Sequence, residues 1–171
     1  TTLSLSMENV SFADQNWAYM PRNNTVITLR ESTNAGSGSN IADTNVANNS
    51  SIAVRIDTPD FSFFASGDME PPTQAVIASE LRKVDIYKVS HHGSAYQDES
   101  FTRALAPQVA MISVGAGNSY GHPAANTLAL LRQVSAKVLR TDRDGAIAIS
   151  ARNHRLKVRT SRSKLTFLRW E

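Results

Sequence analysis

Cysteine is absent from this chain of 171 residues, which excludes disulfides, thiolate metal ligands and a cysteine nucleophile. Any metal must then be held by imidazole, carboxylate or backbone oxygen. Histidine is missing from the first ninety positions: the four that exist are His91, His92, His122 and His154. Long apolar runs are also lacking. They stop at four residues, as in Ala146-Ile147-Ala148-Ile149, whereas a membrane-spanning helix needs ~20. The opening Thr1-Thr2-Leu3 has no Met, no basic region and no apolar region of a secretory signal, so the sequence reads as a soluble fragment or processed chain. No phosphate-binding P-loop, G-x-S-x-G elbow or dinucleotide fingerprint occurs, because Gly115, Gly117 and Gly121 lack the required spacing.

What is present suffices for one domain over residues 1–171: 41% of the residues are hydrophobic. The net charge is only +3, but it is unevenly spread. Residues 1–80 carry 3 basic and 9 acidic groups, and residues 81–171 carry 15 basic and 6 acidic groups. Such a charge dipole favours docking of a polyanion against the basic side, although on charge alone a solvated basic surface is the first reading.

Thr25–Leu29 alternates as a half-buried strand does, and the polar stretch from Glu31 to Asn49 reads as a mobile exposed loop. Ile52–Ile56 and Phe61–Ala65 form a hairpin around Asp57-Thr-Pro-Asp60. A helix is expected from Pro71 to about Lys83, with Ala75, Ile77, Ala78 and Leu81 on its apolar face. Strands at Ile86–Val89, Val109–Val114 and Lys137–Arg140 then alternate with helices at about Asp98–Ala104 and Pro123–Val134, which argues for a layered α/β core. Residues 151–171 read as a basic edge ribbon, preceded by a strand at Ala146–Ser150 and built on Leu156–Arg159 and Leu165–Leu168.

Three segments at predicted strand ends carry chemistry-bearing side chains. In Ser66-Gly-Asp68-Met-Glu70 an acid follows a glycine turn, a placement suited to a hard metal ion, although taken alone the segment reads first as a cap for the helix that starts at Pro71. In Ser90-His91-His92-Gly93-Ser94 two histidines are adjacent; on an extended segment they would face opposite sides, so that one enters a site and the other supports it. The third segment, Gly115-Ala-Gly-Asn118-Ser-Tyr120-Gly-His122-Pro123, gathers an amide, a phenol and an imidazole before a helix start, where His122 serves either a phosphate oxygen or the helix end. Asp142 and Asp144 do not complete a calcium loop, because Gly145 comes too early and no Glu follows; a turn is the better reading. The 23 positions from Asp68 to His91 leave room for a helix and a strand, a crossover able to return both groups to one edge.

The runs Asn48-Asn-Ser-Ser51, Ser66-Gly-Asp68, Tyr87-Lys-Val-Ser-His-His-Gly-Ser94, Ser113-Val-Gly-Ala-Gly-Asn118, Tyr120-Gly-His-Pro123 and Arg140-Thr-Asp-Arg-Asp-Gly-Ala146 together closely resemble the C-terminal metallo-β-lactamase-fold domain of the ComEC DNA-uptake channel family. The resemblance covers roughly residues 23–150. It implies the C-terminal portion of an αββα sandwich, with mixed sheets and helices on the outer faces, and metal-dependent hydrolysis of DNA phosphodiesters in the intact protein. Asp68 would bridge a pair of zinc or manganese ions, and His91 or His92 would supply an imidazole ligand, with His91 the first choice. His122 would contact phosphate or protonate the leaving oxygen, and Ser94, Asn118 and Tyr120 would line the same cleft. Asn49 falls where many relatives in the wider superfamily carry a histidine. The resemblance also implies a soluble, extracytoplasmic domain of a bacterial cell-membrane protein, with DNA, the membrane channel of the parent and a second copy of the chain as partners. One departure is large: the superfamily's H-x-H-x-D-H signature is absent, so the isolated chain is expected to be inactive. A function of another class is a non-catalytic nucleic-acid-binding module. It would use Arg152, Arg155, Lys157, Arg159, Arg162, Lys164 and Arg169, with Phe167 or Trp170 stacking on bases.

Overall fold

A computed structural model describes residues 2–6, 26–31, 46–162 and 166–167. In chain order the elements are β1 (Thr2–Ser6), β2 (Val26–Glu31), α1 (Val46–Asn49), β3 (Ile52–Asp57), β4 (Ser62–Ala65), α2 (Pro71–Ala78), β5 (Ile86–Lys88), a tight turn at Ser90–Gly93, α3 (Glu99–Leu105), β6 (Val109–Ile112), α4 (Ala125–Gln133), β7 (Lys137–Arg140), α5 (Thr141–Asp144), β8 (Ile147–Arg152), β9 (Arg155–Thr160) and β10 (Thr166–Phe167). Strands β1 to β7 form one sheet in sequence order. The first four pair antiparallel and β4 to β7 pair parallel, so the sheet is mixed. Strands β8, β9 and β10 form a second, antiparallel sheet with β9 in the middle.

Period-two alternation divides the residues of the parallel strands between two cores. Phe64, Tyr87, Ala110 and Ile112 face one way and bury Ile77 of α2, Phe101 and Leu105 of α3, and Leu131 of α4. Their neighbours Phe63, Ile86, Val109 and Met111 face the other way and pack on Leu156 and Val158 of β9 and Ile147 and Ile149 of β8. The described layers are thus helices, large sheet, small sheet. The chain has a mixed α/β fold, and no helix among the described residues covers the outer side of the small sheet.

Several expectations change. The small sheet is not an edge ribbon: Leu156 and Val158 are buried against a face of the large sheet, because alternate positions of β9 are apolar. Residues 32–45 of the expected mobile loop lie outside the described residues, but its end is ordered as α1, where Asn49 is only 1% exposed. The helix from Pro71 ends at Ala78 rather than Lys83. It buries Gln74 and Ile77 and leaves Ala75 exposed, because the Gln74 amide has polar partners inside. Among the described residues no helix is long and apolar enough to cross a membrane.

Candidate functional site

Parallel pairing brings the C-terminal ends of β4, β5, β6 and β7 to one edge, where open α/β sheets place their ligands. The loops leaving β4, β5 and β6 carry Asp68, the His91–His92 pair and His122. The antiparallel strand β3 begins at the same edge, so Asn48 to Ser51 join them.

Each loop is fixed by hydrogen bonds of identifiable origin. Gly67 sits at φ +58°, and a side chain there would meet Cβ and Oγ of Ser51 at 2.9 Å; the Ser51 hydroxyl instead accepts the Asp68 N–H at 3.1 Å. Asp68 does not cap the following helix. That position belongs to Glu70, whose side chain makes no capping bond. The Glu70 N–H donates to Asn49 Oδ1 at 3.0 Å, and Asn48 Nδ2 donates to Glu70 Oε1 at 3.0 Å. Asn49 therefore supports the Glu70 segment from inside.

The two histidines are not on an extended segment. Both lie in the left-handed region, His91 at φ 47° and His92 at φ 53°, so neither obeys the opposite-face rule of a strand. The turn is anchored by a buried hydroxyl cluster: Ser90 N–H donates to the Tyr87 hydroxyl at 3.0 Å, Tyr87 Oη and Ser90 Oγ are 2.9 Å apart, and Ser90 Oγ also bonds Ser66 Oγ. Burial pushes the Tyr87 phenol above its ordinary value, opposed by its bonds to Ser90 and Ser66, so it remains protonated and able to donate. His91 N–H donates to the Gly67 carbonyl at 3.0 Å, which ties the turn to the Asp68 loop.

Both imidazoles consequently reach carboxylates. His91 Nδ1 lies 3.4 Å from Glu70 Oε1, buried and without an aligned hydrogen bond; His92 Nε2 lies 3.7 Å from Asp68 Oδ1. The other nitrogen of His92, Nδ1, is 2.7 Å from the Ser113 carbonyl. As the donor of that bond it leaves the Nε2 lone pair turned toward Asp68. The His122 ring meets His91 edge-on with centroids 5.7 Å apart and stacks on Tyr120 at 6.0 Å. The His122 pKa is lowered from its ordinary 6.5, first by burial, then by the nearby charges of His91 and His92, with Asp68 pulling the other way.

Asn118 laces its loop, donating from Nδ2 to the carbonyls of Gly115 at 3.1 Å and His122 at 2.9 Å, while Oδ1 accepts the His122 N–H at 3.0 Å. Tyr120 stands 82% exposed at the rim. Ser94 is buried; its hydroxyl accepts the Tyr96 N–H at 3.1 Å and its carbonyl accepts Thr127 Oγ1 at 2.6 Å. Asp68, His91, His92 and His122 are thus brought together, and Glu70 joins them. Sequence reasoning gave Glu70 no role, although it lies two positions after Asp68, where a turn returns its side chain to the same edge. Asp142 and Asp144, read as a turn rather than a calcium loop, lie in the short α5, where Asp142 accepts two bonds from Arg140 at the end of β7, Nε to Oδ1 at 3.0 Å and Nη2 to Oδ2 at 2.5 Å.

Two imidazole–carboxylate pairs stand at this edge, His91 with Glu70 and His92 with Asp68. An imidazole beside a carboxylate is a good half-site, yet among the described residues no three His, Asp or Glu side chains gather closely enough to hold a metal ion.

No family model matches the chain. The chain is similar to ComE operon protein 3 of Bacillus subtilis, 38% identical over 109 residues, a match that covers 62% of this chain and 14% of that protein. It is also similar to Recombination protein 2 of Haemophilus influenzae, 27% identical over 124 residues, covering 72% of this chain and 16% of the relative. The matched part is therefore a small fraction of each relative's length.

Proposed function

We propose that this chain is the C-terminal part of a metallo-β-lactamase-like domain in a DNA-uptake channel of the ComEC family, and that the intact domain hydrolyses DNA phosphodiester bonds with zinc or manganese. The observation that carries this reading is the convergence of Asp68, His91, His92 and His122 on one edge of the sheet, from three loops separated by whole helices and strands. Similarity to two proteins whose names refer to a competence operon and to recombination supports the same context. In this reading the remaining metal ligands come from another part of the parent, which also places the domain beside a membrane channel on the extracytoplasmic side.

The roles of this chain's residues follow from their surroundings. Asp68 and an imidazole of the histidine pair contribute one wall of the metal site. Glu70 orients His91, and the Ser113 carbonyl orients His92. His122, kept neutral at pH 7 by its lowered pKa, accepts a hydrogen bond from phosphate-bound water or, once protonated, donates to a departing oxygen. Tyr120 and Asn118 shape the rim.

The test is cleavage of labelled DNA by the parent protein with manganese or zinc. Wild type is expected to cut, and chelator, Asp68→Asn or His92→Ala is expected to reduce the rate at least a hundredfold. Cutting that survives both chelator and Asp68→Asn would overturn the reading.

A further inference from the structure

On the outer side of the small sheet the alternation that buries Leu156 and Val158 turns a row of cations outward. Arg155 and Arg159 of β9 are exposed, Lys157 lies between them, and Arg152 of β8 is exposed opposite Arg155. The register pairs Arg152 directly with Arg155, and like charges placed opposite one another across two strands are destabilising. The remaining outward positions of β8 are small: Ala148 opposite Arg159 and Ser150 opposite Lys157. At the hairpin turn, Asp60 Oδ1 accepts the Asn153 N–H at 2.7 Å. Arg162, beyond the strand, is turned to the Asp142 carbonyl.

We propose that this face of β8 and β9 is a binding surface for the phosphate backbone of single-stranded DNA, distinct from the loop edge that carries Asp68 and the histidines. Its choice of DNA as polyanion rests on the function proposed above. Alternate residues of a strand stand about 6.8 Å apart, so Arg155, Lys157 and Arg159 form a straight ladder of cations at a spacing close to that of successive phosphates in an extended strand. The small side chains of β8 leave the backbone room to lie flat. A self-association of two such faces is opposed by their shared charge. A lipid bilayer is the poorer fit, because no large exposed apolar residue occurs on β8 or β9 among the described residues, and interfacial binding relies on apolar insertion as well as charge.

The surface has a defined electrostatic signature. Each single-strand phosphate neutralised contributes about −0.7 to the slope of log K against log salt. The chain is titrated against a fluorescent thymidine oligomer in chelator over a salt series, and compared with Arg152→Gln/Arg155→Gln/Arg159→Gln and with Arg132→Gln, which removes an exposed cation of α4. Circular dichroism checks that each variant is folded. The triple variant is expected to bind roughly tenfold more weakly at low salt, with a slope shallower by about 2, whereas Arg132→Gln binds as wild type. Single substitutions at the same three positions, each expected to remove about 0.7 of slope, keep the question open to measurement if the triple variant fails to fold. An unchanged slope in the folded triple or single variants of β8 and β9, an equal loss in Arg132→Gln, or equal affinity for phosphatidylglycerol vesicles would overturn the proposal. Loss of cleavage in the parent with this binding intact would overturn the hydrolase reading alone.

Discussion

His122 shows how a residue's chemistry depends on neighbours the sequence does not announce. Its imidazole loses part of its water to Tyr120 and to the edge of His91, and the charges of His91 and His92 oppose its own, so its pKa falls below the ordinary 6.5. The folded pKa therefore lies below the unfolded one. The corresponding contribution to stability is fully present above pH 6.5 and is lost as the pH falls through the folded value. A proton NMR titration is expected to place the His122 midpoint below 6.5. Asp68→Asn, which removes the one charge that raises it, is expected to move the midpoint lower still. A higher midpoint in that variant would contradict the arrangement. Sequence reading found His122 and Asp68, because imidazoles and acids at strand ends stand out. It missed Glu70, whose part depends on Asn48 and Asn49 reaching across from a different loop, and it put the histidines on opposite faces because their left-handed backbone leaves no mark in the residue pattern.

At the scale of elements, the positions of β2 to β10 were legible because apolar alternation and flanking turns define them, and the hairpin of β3 and β4 fell where expected; β1 (Thr2–Ser6) was not foreseen. The helix α2 was less so. Its buried side is held by an amide: Gln74 Nε2 donates to the Met69 carbonyl at 2.6 Å, and Gln74 Oε1 accepts the Asp98 N–H at 2.6 Å at the start of α3. Gln74→Leu keeps the volume but strands both backbone groups, and is expected to destabilise the fold by about 1–3 kcal/mol in urea unfolding. Asp98 itself caps α3 by accepting the Phe101 N–H at 2.8 Å, and Asp98→Ala is expected to cost about 1 kcal/mol in the same measurement. Gly93 joins two site loops, its carbonyl accepting the Ala124 N–H at 2.8 Å while it sits at φ +80°. A Cβ there would lie 2.7 Å from Cβ of Pro123. Gly93→Ala adds backbone strain to this clash and is expected to cost about 2–4 kcal/mol. An unfolding midpoint equal to wild type would show that the two loops are not packed as described.

For the whole molecule, the parallel order of β4 to β7 is what turns scattered sequence positions into one edge, and the spacing between Asp68 and His91 already allowed it. The stacking of β8 and β9 on the large sheet was not legible, because an alternating strand reads the same whether it lies at an edge or across a face. The consequence for metal chemistry follows from ligand number. His91 faces Glu70, and His92 faces Asp68, each as an imidazole–carboxylate pair. Tight divalent binding needs three or four donors converging on one point, and two-donor sites on a protein surface compete poorly with water. Isothermal titration of this chain with zinc or manganese is expected to show weak binding and no tight two-site isotherm, and Asp68→Asn is expected to weaken it further. If the parent supplies the missing ligands, the same titration on the parent should develop two tight sites that Asp68→Asn removes. A tight two-site isotherm from this chain alone would mean that the two pairs close into a complete centre, and that the edge needs no partner segment.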